Sequence, residues 1–484
     1  MKKLVIIFTL FLSFNIYSYS QLASSYYMTN LRQSIYTNPA RMQDCGFSFS
    51  FPMLNINTTT YLSSLNVNNL FSKDNQGKYY LDLEKIVDNS AQFNYLYNSN
   101  QFSIFSFGIR FGYPFYFHYD QSLKTVFYFN YPQGVVNFLA TGISLNNPNF
   151  VLTDLNLSTM IYRQSAFTLG YKVSKDLTLG LSIKRLTGLG LLKTNSFTLD
   201  VAIDTTNDLN YPMDITSQYD FYYSGPVGFS YADSLIIDTN SALFALDGGA
   251  DAQTIRNLLM PKNHGWALDL GFVYNPIKYI EISGSIVDLG YIKWKTNSKH
   301  VYHQESSLYI DGIDIINDTN AVENFVDTLK TLFVPQIEDG NFSSGINTRI
   351  YLGLAFKPVD YLSLGLAYQT VKLQPKNWMN IYHFSAALNL GYTWSFTGTY
   401  SIYPHSYNNF GLGATINLGF IQFYIITDNL ALPNFGISYF TNRDTPPEEN
   451  SATLWLKKAQ LVNFHFGINF NFGCKDRLDY GILD

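Results

Sequence analysis

The groups in this chain that could do chemistry are few. Seven histidines stand at 118, 264, 300, 303, 383, 405 and 465. Only His300 and His303 have ligand-like spacing, in what reads as a loop, where they could chelate only if ordered. His405 and Ser406 with Asn408 make the nearest string to a serine hydrolase set. Adjacent residues of a strand point to opposite faces, however, so ring and hydroxyl would not meet. Asp269 and Asp288 are the one carboxylate pair to name for sugar cleavage, and two aspartates hydrogen-bonded inside a polar wall are the plainer reading. No catalytic residue, metal or cofactor is expected, and enzyme function is disfavoured.

The elements that would position these residues are strands. Leu362, Leu364, Leu366 and Tyr368 interleave with Ser363, Gly365, Ala367 and Gln369. The same period of two recurs at Phe464–Phe472 against His465–Gly473, and at Leu177–Ile183 against Thr178–Lys184. Period two is the signature of a β-strand with one apolar and one polar face. Soluble sandwiches alternate too, but their strands usually run about 5 to 6 residues, and these run longer. Strands of roughly 9 to 11 residues, greasy outside and polar inside, suit a transmembrane barrel, because hydrocarbon offers no partner to an open sheet edge. The expected fold is all-β: a transmembrane antiparallel barrel of about 14 strands, 12 to 16 allowed.

Lys2 and Lys3 precede an apolar run from Leu4 to Ile16, and Ser18 and Ser20 stand before Gln21 at cleavage spacing, so 1–20 reads as a secretory signal peptide. That run is shorter than the roughly 20 residues a spanning helix requires, and no other stretch is long enough. Aromatic residues reach 17% and charged residues only 14%, against about 25% charged in ordinary globular chains. Hydrophobic residues are 46% of the chain. A mean hydropathy of −0.03 therefore means that apolar and polar residues are interleaved. Net charge is −5, and nothing indicates nucleic acid. The plain alternative is a secreted, aromatic-rich soluble β protein. The expected location is the outer membrane, with its lipid as partner.

Strands are expected near 46–57, 101–112, 113–119, 123–131, 151–162, 165–173, 176–187, 192–203, 212–223, 265–275, 278–289, 348–357, 360–370, 382–403 (two), 409–418, 419–427, 434–441 and 462–472. A periplasmic N-terminal segment (21–45) precedes the barrel (46–473), and a tail (474–484) follows it. Large excursions interrupt it at 62–100, 204–262 and 298–346. Within them, 82–89 and 252–259 could form short helices acting as plugs or caps. Tyr274–Tyr279 and Phe356–Tyr361 each place proline in a tight turn bracketed by aromatics, as a short periplasmic turn would.

Alternation also says which charges face inward. Arg110 opposes the phase of Phe105, Phe107 and Ile109; Asp269 opposes Leu268 and Leu270; Lys184 and His465 lie on the polar faces of their strands. With Asp288, these are the candidate lumen-lining residues. Interior charges can line a pore, pin a plug or hold a ligand headgroup, and neighbouring glycines and serines, which leave room for a plug, favour pinning. Cys45 precedes the first strand and Cys474 follows the last. An even-stranded barrel brings both to one rim, where a disulfide becomes possible.

Asn38-Pro39-Ala40 before the first strand resembles the motif of Bacteroidota outer-membrane proteins of the PorV and FadL-like type. Gly265–Gly271 and Val287–Trp294, with Ser106–Arg110 and Lys184–Gly188, resemble a Bacteroidota barrel family known only as a domain of unknown function. The resemblance spans about Ser24 to Gly473. It implies a porin-like or FadL-like channel for small or hydrophobic molecules. The second reading is a non-transporting barrel that docks a partner of a secretion or surface-attachment system, as PorV-like and SprF-like barrels do. The chain departs from the usual terminal aromatic by continuing past Cys474.

Overall fold

The computed structural model describes residues 23–51, 55–63, 71–74, 79–112, 114–142, 148–153, 155–205, 212–226, 228–231, 244–247, 252–310, 334–373, 377–404, 406–430 and 461–474. The chain is a closed antiparallel barrel of 14 strands. The wall runs through β1 in two pieces (Cys45–Ser50 and Asn55–Leu62), β2 (Phe93–Phe111), β3 (Phe115–Pro132), β4 (Asn156–Lys172), β5 (Leu177–Ile203), β6 (His264–Ile277) and β7 (Ile280–Trp294). It continues through β8 (Arg349–Val359), β9 (Leu362–Leu373), β10 (Asn377–Leu390), β11 (Trp394–Tyr403), β12 (Ser406–Leu418), β13 (Ile421–Leu430) and β14 (Leu461–Cys474). Each strand pairs with its neighbour in sequence, and β1 closes on β14, with Phe47 opposite Phe472 and Phe49 opposite Phe470. Cys45 stands opposite Cys474, their Cα atoms 3.8 Å apart, and the two are disulfide-bonded across 429 residues of sequence.

The alternation sorts side chains as the sequence requires. Leu169, Leu181, Leu270, Leu352 and Leu364 all lie on the outer face, each more than a third exposed, and a belt of that kind is stable only against hydrocarbon. Ser182, Lys184 and Asp269 are buried inside. Among the described residues no helix is long and apolar enough to cross a membrane. Leu364→Asp therefore costs assembly up to about 3 kcal/mol, while half-buried Ser363→Asp, facing the lumen, costs much less. The heat-modifiable fraction on SDS gels checks this, and equal losses would mean the faces are assigned wrongly.

Several expected strands merge. The ranges 113–119 and 123–131 are one strand, and 176–187 and 192–203 are one strand of 27 residues. The polar run Asp120-Gln121-Ser122 falls between the expected strands 113–119 and 123–131, yet Asp120 and Ser122 are each 0% exposed inside the lumen. Most of 165–173 joins the end of 151–162 in β4, leaving Asn149–Leu152 as a separate short strand. The expected strand 434–441, the signal peptide and residues 475–484 lie outside the described residues. Beyond the belt, β5 carries an extension in which Met213–Ser224, Lys299–Ile310 and Gln336–Asp339 add successive strands. The helices Leu83–Asn89 and Ala252–Leu259 form within the excursions, but neither is the plug. That role falls to the segment expected to lie in the periplasm: from Ala23 to Asp44 it sits in the lumen, where its polar groups find partners on the inner wall.

Candidate functional site

The N-terminal segment is short of helix, with one turn at Ala23–Tyr26 and a 3-10 turn at Arg32–Tyr36, so its backbone and side chains need external partners. The wall supplies them. The Ser24 hydroxyl lies 2.8 Å from that of Thr399, and the Tyr26 hydroxyl lies 3.0 Å from that of Ser283. The Tyr27 hydroxyl sits between the carbonyls of Leu354 and Leu366, at 3.0 and 2.6 Å. Arg32 donates to Ser106 and Asn469, and Gln33 to Asn55 and Asn469. Arg41 pairs with Glu281 at 2.8 Å, and Lys357 holds the other Glu281 oxygen at 2.7 Å.

The motif Asn38-Pro39-Ala40 lies on a shelf of missing side chains. Gly170, Gly180, Gly271 and Ser285 stand in one register row across β4, β5, β6 and β7. A Cβ on Gly180 would lie 2.1 Å from the Pro39 carbonyl carbon, and one on Gly271 would lie 2.2 Å from Asn38 Oδ1. Asn38 donates to the carbonyls of Phe272 and Gly284, while Ser285 donates to that of Thr37. The backbone of the plug thus touches the backbone of the wall.

Above this shelf lies a knot of charge. Lys184 is 2.6 Å from Asp269 and 2.5 Å from Asp288; Asp288 also holds Arg349 at 2.7 Å and Lys124 at 3.2 Å. Asp288 has a φ of 60° and donates its backbone N–H to Asp269. The pairing of β6 with β7 skips Asp269 at the same place. This bulge turns Asp288 into the lumen. The carboxylates are spent on cations, three against two.

The knot forms one side of a small, partly open chamber lined by Asn57, Tyr97, Gln101, Lys124, Asn347 and Arg349. Beside it, a narrower space is lined by Val126, Tyr128, Met160 and Ile346, so a charged flank passes into an apolar one. The outer mouth is pinched. Tyr61, Tyr97 and Tyr128 meet Val371, Leu373, Met379, Ile381 and Tyr403 in one buried cluster, with the rings of Tyr61 and Tyr403 5.7 Å apart.

The candidates named from sequence sort as follows. Arg110 pairs with Asp44 at 3.2 Å and donates to the Gln43 carbonyl, clamping the end of the plug. Lys184, Asp269 and Asp288 meet in the charge knot. His465 is buried against the Tyr424 hydroxyl at 2.8 Å, remote from the knot in its contacts. His300 meets Asp220, and His303 the Val334 carbonyl, so the two rings share no focus. Among the described residues no cluster of histidine, cysteine and acidic side chains could hold a metal. His405 and the side chains of Ser406 and Asn408 lie outside the described residues. Lys124, Arg349, Arg32 and the Arg41–Glu281 pair were not foreseen. Lys124 was legible, since it opposes the phase of Leu123, Phe127 and Phe129 in the expected strand 123–131. The Arg41–Glu281 contact spans 240 residues and has no local signal.

Fold and lumen together define a plugged transmembrane β-barrel. The chain belongs to the DUF5723 family, a family of unknown function, whose model matches residues 39–428. No curated protein matches it. Among solved structures, it is similar to the Ralstonia pickettii toluene transporter TbuX at 11% identity and a TM-score of 0.40, covering 91% of this chain and 93% of that one. The Pseudomonas putida toluene transporter TodX gives 10% identity, a TM-score of 0.36 and coverage of 90% and 91%. A Pseudomonas aeruginosa FadL homologue gives 10%, 0.37, 92% and 94%. Likeness at this level carries nothing about what passes or binds.

Proposed function

We propose that this chain is an outer-membrane channel for small molecules, held shut by its own residues 23–44. One observation carries the reading. The lumen is filled by a segment of the chain held through hydrogen bonds and ion pairs against glycines and hydroxyls, with a chamber left beyond it. Polar contacts of this kind can exchange for water contacts at modest net cost, so the plug can leave without unfolding the wall. The chamber's cationic flank and apolar neighbour suit a compact molecule with an anionic or polar head and an apolar body, in line with a FadL-like channel. No residue is assigned to catalysis. The second reading is a docking barrel. It is favoured by the sheet that β5 extends beyond the belt and by the pinched outer mouth, which together offer a surface to a protein partner.

Planar-bilayer recordings of the refolded full chain test the choice. Rare, brief openings are expected, becoming frequent in Arg41→Gln, which loosens the plug while leaving Glu281 its Lys357 partner. A barrel silent in both forms transfers the reading to docking.

A further inference from the structure

We propose that the plug is wet along one side: a hydrated seam between the N-terminal segment and the inner faces of β2, β3 and β4 leads from the periplasmic rim to the chamber. It passes water and small polar solutes while the plug stays seated. The inference needs the plug where it lies. It does not need the chamber to bind a solute, and so it stands apart from the channel reading.

The two sides of the plug differ. Toward β7, β8 and β9, Tyr26 and Tyr27 pack with Val287, Tyr351, Ala355 and Ala367, and the Tyr26 hydroxyl and Arg41 find partners on Ser283 and Glu281. Toward β2, β3 and β4, Arg32 reaches Ser106, but several side chains just as deeply buried find no such partner. Ser103, Ser122 and Gln164 are register partners across these three strands, at 3%, 0% and 2% exposure. The Ser122 hydroxyl and the Gln164 carbonyl oxygen have no hydrogen-bond partner among the described residues, and the Ser103 hydroxyl only approaches that of Tyr36. On the same inner face of β3, both ring nitrogens of His118 are likewise unpartnered, the Asp120 carboxylate is approached by the plug's Tyr36 hydroxyl, and facing them Arg32 leaves Nε and Nη1 unused.

Buried polar atoms are nearly always paired, and leaving them unpaired is costly. What would satisfy this group follows from its composition. A bound cation would face the Arg32 guanidinium, and a bound anion would face the Asp120 carboxylate. Water, which both donates and accepts, satisfies the guanidinium, carboxylate, amide and hydroxyls together. The groups are also in file. His118, Asp120, Ser122 and Lys124 are successive inward residues of β3, about 6.6 Å apart along the strand. Lys124 lines the chamber, and at the rim Gln43 Oε1 and Arg110 Nε are unpartnered as well.

The test locks the plug and then asks which side is open. Ser24→Cys with Thr399→Cys, whose hydroxyls lie 2.8 Å apart, is oxidised to hold the segment in place in the full chain, with heat-modifiable migration confirming the barrel. In that background Ser122→Cys and Ser283→Cys are exposed to 2-aminoethyl methanethiosulfonate and followed by mass spectrometry. Ser122→Cys is expected to react at least about tenfold faster. Equal rates, whether both fast or both slow, would overturn the seam. A second measurement uses stopped-flow light scattering of proteoliposomes. The locked barrel should pass water faster than lipid alone, and Gln164→Leu should remove most of that excess; a locked barrel no more permeable than protein-free vesicles would also overturn it.

Discussion

Gly180→Val throws the N-terminal segment out of the barrel. Even the first added carbon would stand 2.1 Å from the Pro39 carbonyl carbon and 2.2 Å from the Ala40 nitrogen. Both obstacles are backbone, so no rotamer change relieves them, and the seated state loses about 3 kcal/mol or more. The wall itself is untouched, because Gly180 keeps its place between Gly170 and Gly271 through main-chain bonds. The expected result is a barrel that still shows heat-modifiable migration but whose residues 23–44 become open to trypsin at Arg32 and Arg41, both now at most 6% exposed. Bilayer conductance should rise with the cleavage. Gly398→Val is the control, since a Cβ there meets nothing within 4 Å. A protected segment in Gly180→Val would show that the shelf does not seat the motif.

Asp288→Leu is the second large effect, and it falls on the wall. The substitution leaves Lys124, Lys184 and Arg349 buried around Asp269 alone. Removing one partner from a buried ion-pair network costs about 3 to 5 kcal/mol, because the remaining charges stay desolvated and uncompensated. Leucine at a φ of 60° adds roughly 1 kcal/mol of backbone strain. Asp288→Asn separates the two contributions: asparagine tolerates that backbone and keeps a hydrogen-bonding side chain, so only the charge is lost. Stability in urea, read from the heat-modifiable band, should fall in the order wild type, Asn, Leu. If Asn matched wild type within about 1 kcal/mol, the carboxylate would not be what holds the three cations.

What the chain states locally, it states in full. A period of two needs only neighbouring residues, so the outward Leu364 and the inward Lys184, Asp269 and Arg110 were legible without any fold, and the same alternation called for a closed barrel near its observed strand number. Even there, bulges broke the rule. On β7, Ser283, Ser285 and Val287 face inward on odd positions, and after Asp288 the inward residues are Ile292 and Trp294 on even ones. One residue with positive φ changes the phase: Asp288, named from sequence as a lumen candidate, does face inward, although the phase of Ser283, Ser285 and Val287 would have pointed it at lipid. Likewise Asp120 and Ser122 fall outside the expected strands 113–119 and 123–131 because polarity in sequence does not distinguish loop water from lumen.

The plug was decided by tertiary structure alone. Residues 23–44 carry no periodicity, and every partner that holds them is distant: Ser106 and Asn469 for Arg32, Glu281 for Arg41, Gly180 and Gly271 for Asn38 and Pro39. Asn-Pro-Ala was visible as a motif, but its seat is built from glycines 91 positions apart that become neighbours only when β5 pairs with β6 in register. Closing the sheet creates the inner surface, and only that surface turns a polar, extended N-terminal segment into a stopper.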